Sequence, residues 1–178
     1  MRKLVLIIAT VALVAMGANA QGLFVKGTQL FKFGVGLNGD GTPVEMSYER
    51  GVKENFLNVK GLVLGLGGNL GYYGYKEDFA IPGMSYSWKY TNIVVSGRAL
   101  AHYNFIDKLD TYAGLTLGYN VASTKYDGPN ASLIPTPSAG GFVFGGLVGA
   151  RYEFNEKWGA YLEFGNTAYC NAGVAYKF

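Results

Sequence analysis

His102 is the single histidine of the 178 residues, and an imidazole is the group most suited to activating a hydroxyl nucleophile near neutral pH. Paired with a serine and oriented by a carboxylate, it would support acyl transfer or ester hydrolysis. It lies, however, on the polar side of an alternating run with Arg98 and Asn104, so a structural hydrogen-bonding role is expected and no catalytic residue is assigned. One histidine and one cysteine, Cys170, leave no set for a metal of the imidazole or thiolate type, and no metal or cofactor is expected. Gly34-Val-Gly36 and Gly65-Leu-Gly67-Gly68 superficially resemble phosphate loops. No helix follows either, and the Lys-Ser/Thr pair of a P-loop is missing. What remains is charge: Glu45, Arg98, Arg151 and Glu163 all fall on polar faces of such runs, where they would form a charge network or line a narrow conduit. Asn130-Ala-Ser132 fits a glycosylation sequon, a match expected to be accidental here.

The elements that must hold these groups are announced by composition. Glycine contributes 27 residues and the aromatics another 27, roughly twice the usual glycine share of about 7%. Charged residues fall to 15% against about 25% in ordinary soluble domains. Met1 to Ala20 begins with Arg2 and Lys3, continues apolar from Leu4 to Val14, and ends in small residues at Ala18 and Ala20, the pattern of a cleaved secretory signal peptide. Its apolar run is well short of the ~20 residues of a spanning helix. The expected organisation is a signal peptide at 1–20 and one domain at 21–178. The formal charge of +3 drops to near +1 once Arg2 and Lys3 leave, so no nucleic-acid partner is expected. A lone cysteine also excludes an intrachain disulfide framework.

Beyond Gly27 the chain alternates apolar with small or polar residues, the period of a strand with two unlike faces. Eight such runs are expected: 28–37, 43–49, 56–73, 90–105, 111–121, 141–154, 159–165 and 168–178. In the fifth, Ala113, Leu115, Leu117, Tyr119 and Val121 oppose Tyr112, Gly114, Thr116, Gly118 and Asn120. In the last, Val174, Tyr176 and Phe178 oppose Tyr169, Asn171, Gly173 and Lys177. Short charged turns at 50–55, 106–110 and 155–158 mark one end. Two long loops, 75–89 and 123–140, lie at the other end beside the short connections 38–42 and 166–167. A weak repeat relates Tyr103–Tyr112 to Tyr152–Tyr161 as two equivalent corners on the same rim.

Volume decides which face is wet. An eight-stranded barrel encloses barely enough space for side chains, and the apolar face is too bulky for it. Glycine, serine, asparagine and a few long charged residues would fit. Lys32, Lys60, Arg98 and Arg151 against Glu45, Glu49, Glu153 and Glu163 are expected there as a balanced set, since buried charge is tolerable only when paired. The apolar face is therefore assigned to lipid, where closure of the sheet is obligatory because no backbone group can be left unpaired. Tyr48, Tyr103, Phe105, Phe154, Trp158 and Tyr176 near the tight turns, and Tyr72, Tyr73, Tyr86, Trp88 and Tyr90 near the loops, would form two aromatic girdles. The fold class is all-β, an eight-stranded antiparallel transmembrane β-barrel.

A signal peptide, eight alternating strands and a terminal Val174-Ala-Tyr176-Lys-Phe178 resemble the small outer-membrane β-barrels of the OmpA/OmpX-like class, over the whole exported chain. The resemblance implies the outer membrane of a Gram-negative bacterium, with outer-membrane lipids and lipopolysaccharide as surroundings. It also implies the barrel-assembly machinery as a partner during insertion, with Val174, Tyr176 and Phe178 as the assembly signal. The expected function is non-enzymatic and envelope-structural, with recognition or adhesion through surface loops that carry Tyr75, Tyr86, Trp88 and Tyr126 toward an extracellular ligand. A narrow pore for ions or small polar solutes and a lipid A modifying enzyme are the alternatives.

Overall fold

The computed structural model describes residues 23–37, 41–165 and 167–178; the expected signal peptide and most of the turn at 38–41 lie outside them. Eight antiparallel strands close into a barrel in sequence order: β1 Gln29–Leu37, β2 Val44–Lys53, β3 Val63–Ile81, β4 Met84–Ile106, β5 Leu109–Asp127, β6 Ser138–Glu153, β7 Trp158–Gly165 and β8 Ala168–Lys177. The ring is sealed by β1 pairing with β8, from Leu30 opposite Lys177 to Leu37 opposite Cys170.

Burial follows the two-residue period. On β1, Lys32, Gly34 and Gly36 are buried while Phe31, Phe33, Val35 and Leu37 are exposed. On β4 the sequence Ile93 to Leu100 switches at every residue, Val94, Ser96, Arg98 and Leu100 being inside. Polarity is thus inverted relative to a water-soluble barrel. Glycine makes the narrow interior possible: a Cβ built at Gly114 would stand 2.0 Å from the Ala99 carbonyl oxygen.

Several boundaries differ from the sequence reading. The third strand begins at Val63 rather than 56, because Asn55, Leu57 and Asn58 take left-handed backbone angles in a one-turn 3-10 segment, Phe56–Asn58. The expected long loop 75–89 is a hairpin in which β3 and β4 stay paired up to Ile81 opposite Met84, closing at Gly83 with φ +82°. Likewise β5 runs to Asp127 and β6 starts at Ser138, leaving 128–137 as the loop of the expected 123–140. The turn expected at 106–110 shrinks to Asp107-Lys108, with Lys108 at φ 64°, and β5 opens at Leu109. The register shift between Phe164 and Gly165 places Ala168 inside and turns Tyr169 outward, 73% exposed, against its expected place on the polar face.

Unequal strand lengths shape the molecule. β7 and β8 end beside Leu147 and Leu37, whereas β3, β4 and β5 continue together as a tall sheet: Tyr75 to Ile81 on β3 extends past the last β2 pair, Val44 opposite Tyr72. At the tight-turn rim, Tyr103–Phe105 and Tyr152–Phe154 form edge-on pairs with ring planes at 62° and 63°, and Trp158, Tyr176 and Phe178 continue the belt.

Candidate functional site

Inside the barrel the strands bring their long polar side chains to one level. Glu163 on β7 is the hub: its Oε1 accepts from Lys32 Nζ at 2.6 Å, Arg98 Nη2 at 2.8 Å and the Tyr112 hydroxyl at 2.9 Å. Lys32 also lies 3.6 Å from Glu49 and 4.4 Å from the centre of the Tyr112 ring. Tyr161 presents a second ring to the same ammonium at 5.5 Å. Tyr112 and Tyr161 are the closing residues of the two repeated corners, so the repeat supplies the aromatic box around Lys32.

One level toward the tight-turn rim, His102 joins two carboxylates: Nε2 lies 2.6 Å from Glu49 and Nδ1 3.0 Å from Asp110. Both contacts are hydrogen bonds when both ring nitrogens carry hydrogen. The imidazole stacks on Phe24 at 3.8 Å and on Tyr112 at 4.9 Å. Arg151 donates to Asp110 at 3.2 Å and pairs with Glu153 at 2.8 Å, and Lys177 meets Glu153 at 2.9 Å near the rim. Toward the loop end, Glu45 accepts from Asn69 at 2.9 Å and Asn171 at 2.5 Å.

The four residues singled out by sequence are thus all buried in the lumen, and the structure joins them selectively. Arg98 meets Glu163 directly, whereas Arg151 belongs to the Asp110–Glu153 pair and Glu45 to the asparagines. Lys60 does not take part: it is exposed beyond β2 and before β3. Two groups were missed. Asp110, fully buried at 0% exposure, sat in what looked like a charged solvent turn. Phe24, 1% exposed, precedes the alternating region and gives no periodic signal; its segment is held by the Leu23 amide on Asn104 at 3.3 Å and the Gly27 amide on Gly51 at 2.8 Å. The lumen thus sets the cations Lys32, Arg98, Arg151 and Lys177 against the carboxyl groups of Glu45, Glu49, Asp110, Glu153 and Glu163, with His102 held between Glu49 and Asp110.

The arrangement holds charge rather than moving it. His102 has no hydroxyl on either nitrogen, so no activated nucleophile is formed among the described residues. No group of three or more His, Cys, Asp or Glu side chains there is placed to hold a metal ion.

A second cluster crowns the tall sheet on its inner side. Tyr75 stacks on Tyr90 at 4.5 Å, Phe79 on Tyr86 at 5.2 Å, and Tyr126 receives Tyr86 at 5.7 Å and Trp88 at 5.1 Å. Of the four residues expected in loop recognition, Tyr86, Trp88 and Tyr126 therefore form one group, with Tyr126 buried in its middle. Tyr75 belongs to the neighbouring pair. At the chain end Val174 and Phe178 are exposed outside the barrel, and the Phe178 amide donates to Gln29 at 3.1 Å.

No family model matches the chain, and no curated protein matches its sequence. Among solved structures, the attachment invasion locus protein of Yersinia pestis, in complex with the heparin analogue sucrose octasulfate, aligns with a TM-score of 0.49 at 13% identity, over 86% of this chain and 100% of its own. Another structure of that protein gives 0.47 at 12% identity over 86% and 100%. Neisserial surface protein A gives 0.47 at 16% identity, over 85% of this chain and 95% of its own. Both proteins are small eight-stranded outer-membrane barrels of the OmpX-like kind.

Proposed function

We propose that the chain is an integral, non-enzymatic outer-membrane barrel, exported with loss of residues 1–20, whose role is structural in the envelope and whose tall β3–β5 sheet is its recognition surface. The observation that carries this reading is the inverted polarity: Phe33, Leu66, Leu117, Phe144 and Phe164 cover the outside while Lys32, Glu49, Arg98, Asp110 and Arg151 fill the inside. An exterior of that kind is stable against hydrocarbon and unstable against water. The cross-lumen chain from Arg151 through Asp110, His102, Glu49 and Lys32 to Glu163 and Arg98 supports a packed interior rather than an open conduit, and the lack of a hydroxyl on His102 supports a non-enzymatic role. The terminal Val174, Tyr176 and Phe178 serve recognition by the assembly machinery.

The test is refolding with and without lipid. The chain should insert into vesicles as a monomeric barrel and aggregate in plain buffer; a stable monomer without detergent would refute the membrane assignment. Removing 75–89 should leave the barrel folded and abolish attachment to host cells or matrix, and unchanged attachment would remove the recognition role. Conductance steps in planar bilayers that vanish in Arg98→Glu would replace the structural reading with a pore, and a lipid A mass change on expression would replace it with an enzyme.

A further inference from the structure

Resting on the membrane assignment above, we infer that the outer face of the tall sheet carries a binding site for the phosphate groups of outer-leaflet lipid, of the lipid A type, built from Lys76, Lys89 and Lys125. The three residues form a single cross-strand row, Lys76 opposite Lys89 and Lys89 opposite Lys125. They are the only lysines or arginines at the loop end among the described residues; the others lie in the lumen or toward the tight-turn rim. Like charges placed directly opposite one another on a sheet are destabilising. A row of three is therefore not what folding alone would select.

The height of the row matches a lipid headgroup. Tyr72, Ile93 and Val121 form the row four residues below, also in register, and are exposed on the lipid side. From Tyr103 of the lower girdle to Ile93 is ten residues of β4, which at about 3.3 Å per residue and a tilt near 40° spans about 25 Å, the height of the apolar band of such barrels. Four more residues put the lysine row about 10 Å above the last apolar row, a distance that flexible ammonium stems can cover by bending toward the headgroups. The intervening row, Gly74, Thr91 and Ser123, holds no bulky side chain, so the approach is open.

The charge is only partly spent within the protein. Asp78 and Asp127, one row higher, pair with Lys76 at 2.7 Å and Lys89 at 2.6 Å, with all four side chains about half exposed or more. Lys125 makes no ion pair among the described residues. The Asp127 carboxyl is held below its ordinary range by the Lys89 hydrogen bond and then by the charges of Lys125 and Lys76, so the three ammonium groups act on one place.

The test uses the full exported chain in phosphatidylcholine nanodiscs, with Trp158→Phe leaving Trp88 as donor and a dansyl-labelled lipid A carrying both phosphates as acceptor. Near an anionic surface each lysine is worth about fivefold in affinity, so Lys76→Gln/Lys89→Gln/Lys125→Gln should weaken binding about a hundredfold. The same charge change at the opposite rim, Lys53→Gln/Lys108→Gln/Lys157→Gln, should leave energy transfer intact. Lipid A stripped of both phosphates should bind the unaltered chain as weakly as the triple variant binds the intact lipid. Equal binding of both lipids, equal loss in the opposite-rim variant, or full displacement by an equimolar amount of inorganic phosphate would each overturn the site. Insertion is read in the same samples by circular dichroism: an inserted barrel without phosphate dependence overturns the site alone, and a chain that never inserts overturns the membrane assignment with it.

Discussion

Replacing Glu163 by alanine removes one oxygen that serves three buried donors, and the loss can be sized from its partners. Among the described residues Arg98 has no other hydrogen-bond acceptor, and the remaining carboxylate of Lys32 is Glu49 at 3.6 Å. Tyr112 loses the acceptor of its hydroxyl. Breaking a buried pair from one side costs about 3–5 kcal/mol, because the partner charge stays in a poorly solvated place, and an orphaned buried hydroxyl adds about 1–3 kcal/mol. Glu163→Ala should therefore cost about 4 kcal/mol or more, and Glu163→Gln, which keeps an acceptor for Tyr112, about 3 kcal/mol. Combining Glu163→Leu with Arg98→Met should cost less than the sum of the two singles by about 2 kcal/mol, since apolar replacement of a whole pair removes the stranded charge. The assay is urea unfolding from lipid vesicles followed by tryptophan fluorescence, with free energies from linear extrapolation. A loss below about 1 kcal/mol, the size of an exposed ion pair, or strict additivity in the double variant, would refute the idea that this network holds the interior.

Phe24→Ala should cost about 3–5 kcal/mol in the same assay, because the ring is 1% exposed and covers His102; a change within error would show that residues 23–27 do not seal the rim. Gly67→Val should block barrel formation, since even a Cβ there would stand 2.0 Å from the Tyr48 carbonyl oxygen; normal migration of the unheated, folded form on a gel would contradict the close strand contact. Asp127 stands on the exposed sheet above the apolar band, and its lowered carboxyl makes the Lys89 contact present above the ordinary value of 3.8 and lost only as pH falls through the depressed one. An NMR titration should show that midpoint moving up in Lys89→Gln, and an unchanged midpoint would rule the contact out.

Strand phase was legible wherever one face meets lipid and the other the lumen, because there the two-residue period carries a strong contrast. Arg98, Glu163 and the outward Leu115 and Leu117 could be placed from alternation alone. The contrast vanishes above the apolar band. From Gly74 to Lys89 both faces meet water or aromatic rings, so a hairpin that is as regular as the rest looked like a loop. Asp110 was hidden for a related reason: next to Asp107 and Lys108 it resembled a solvated turn, and only the tight reversal at Lys108 returns it to the interior. Lys60 shows a different error: its parity is that of the outward Leu62 and Leu64, so alternation never gave it an inward position, and the structure leaves it exposed before β3, after the left-handed Leu57 and Asn58. Tyr169 was misplaced by a register shift beside Gly165 that no side-chain pattern announces. The pairwise choices within the lumen, Arg151 with Asp110 rather than Glu163, depend on strand stagger and are not written in any single strand.

The orientation of the barrel wall is tested most directly by spin labels placed one at a time along β5 at Leu115, Thr116, Leu117, Tyr119 and Asn120, in a Cys170→Ala background and in lipid vesicles. Labels at 115, 117 and 119 should collide freely with dissolved oxygen and hardly at all with a water-soluble nickel chelate, while those at 116 and 120 should be shielded from both. Chelate contact at the odd positions, or loss of the two-residue alternation, would contradict a wall that turns its leucines to lipid and its charges inward.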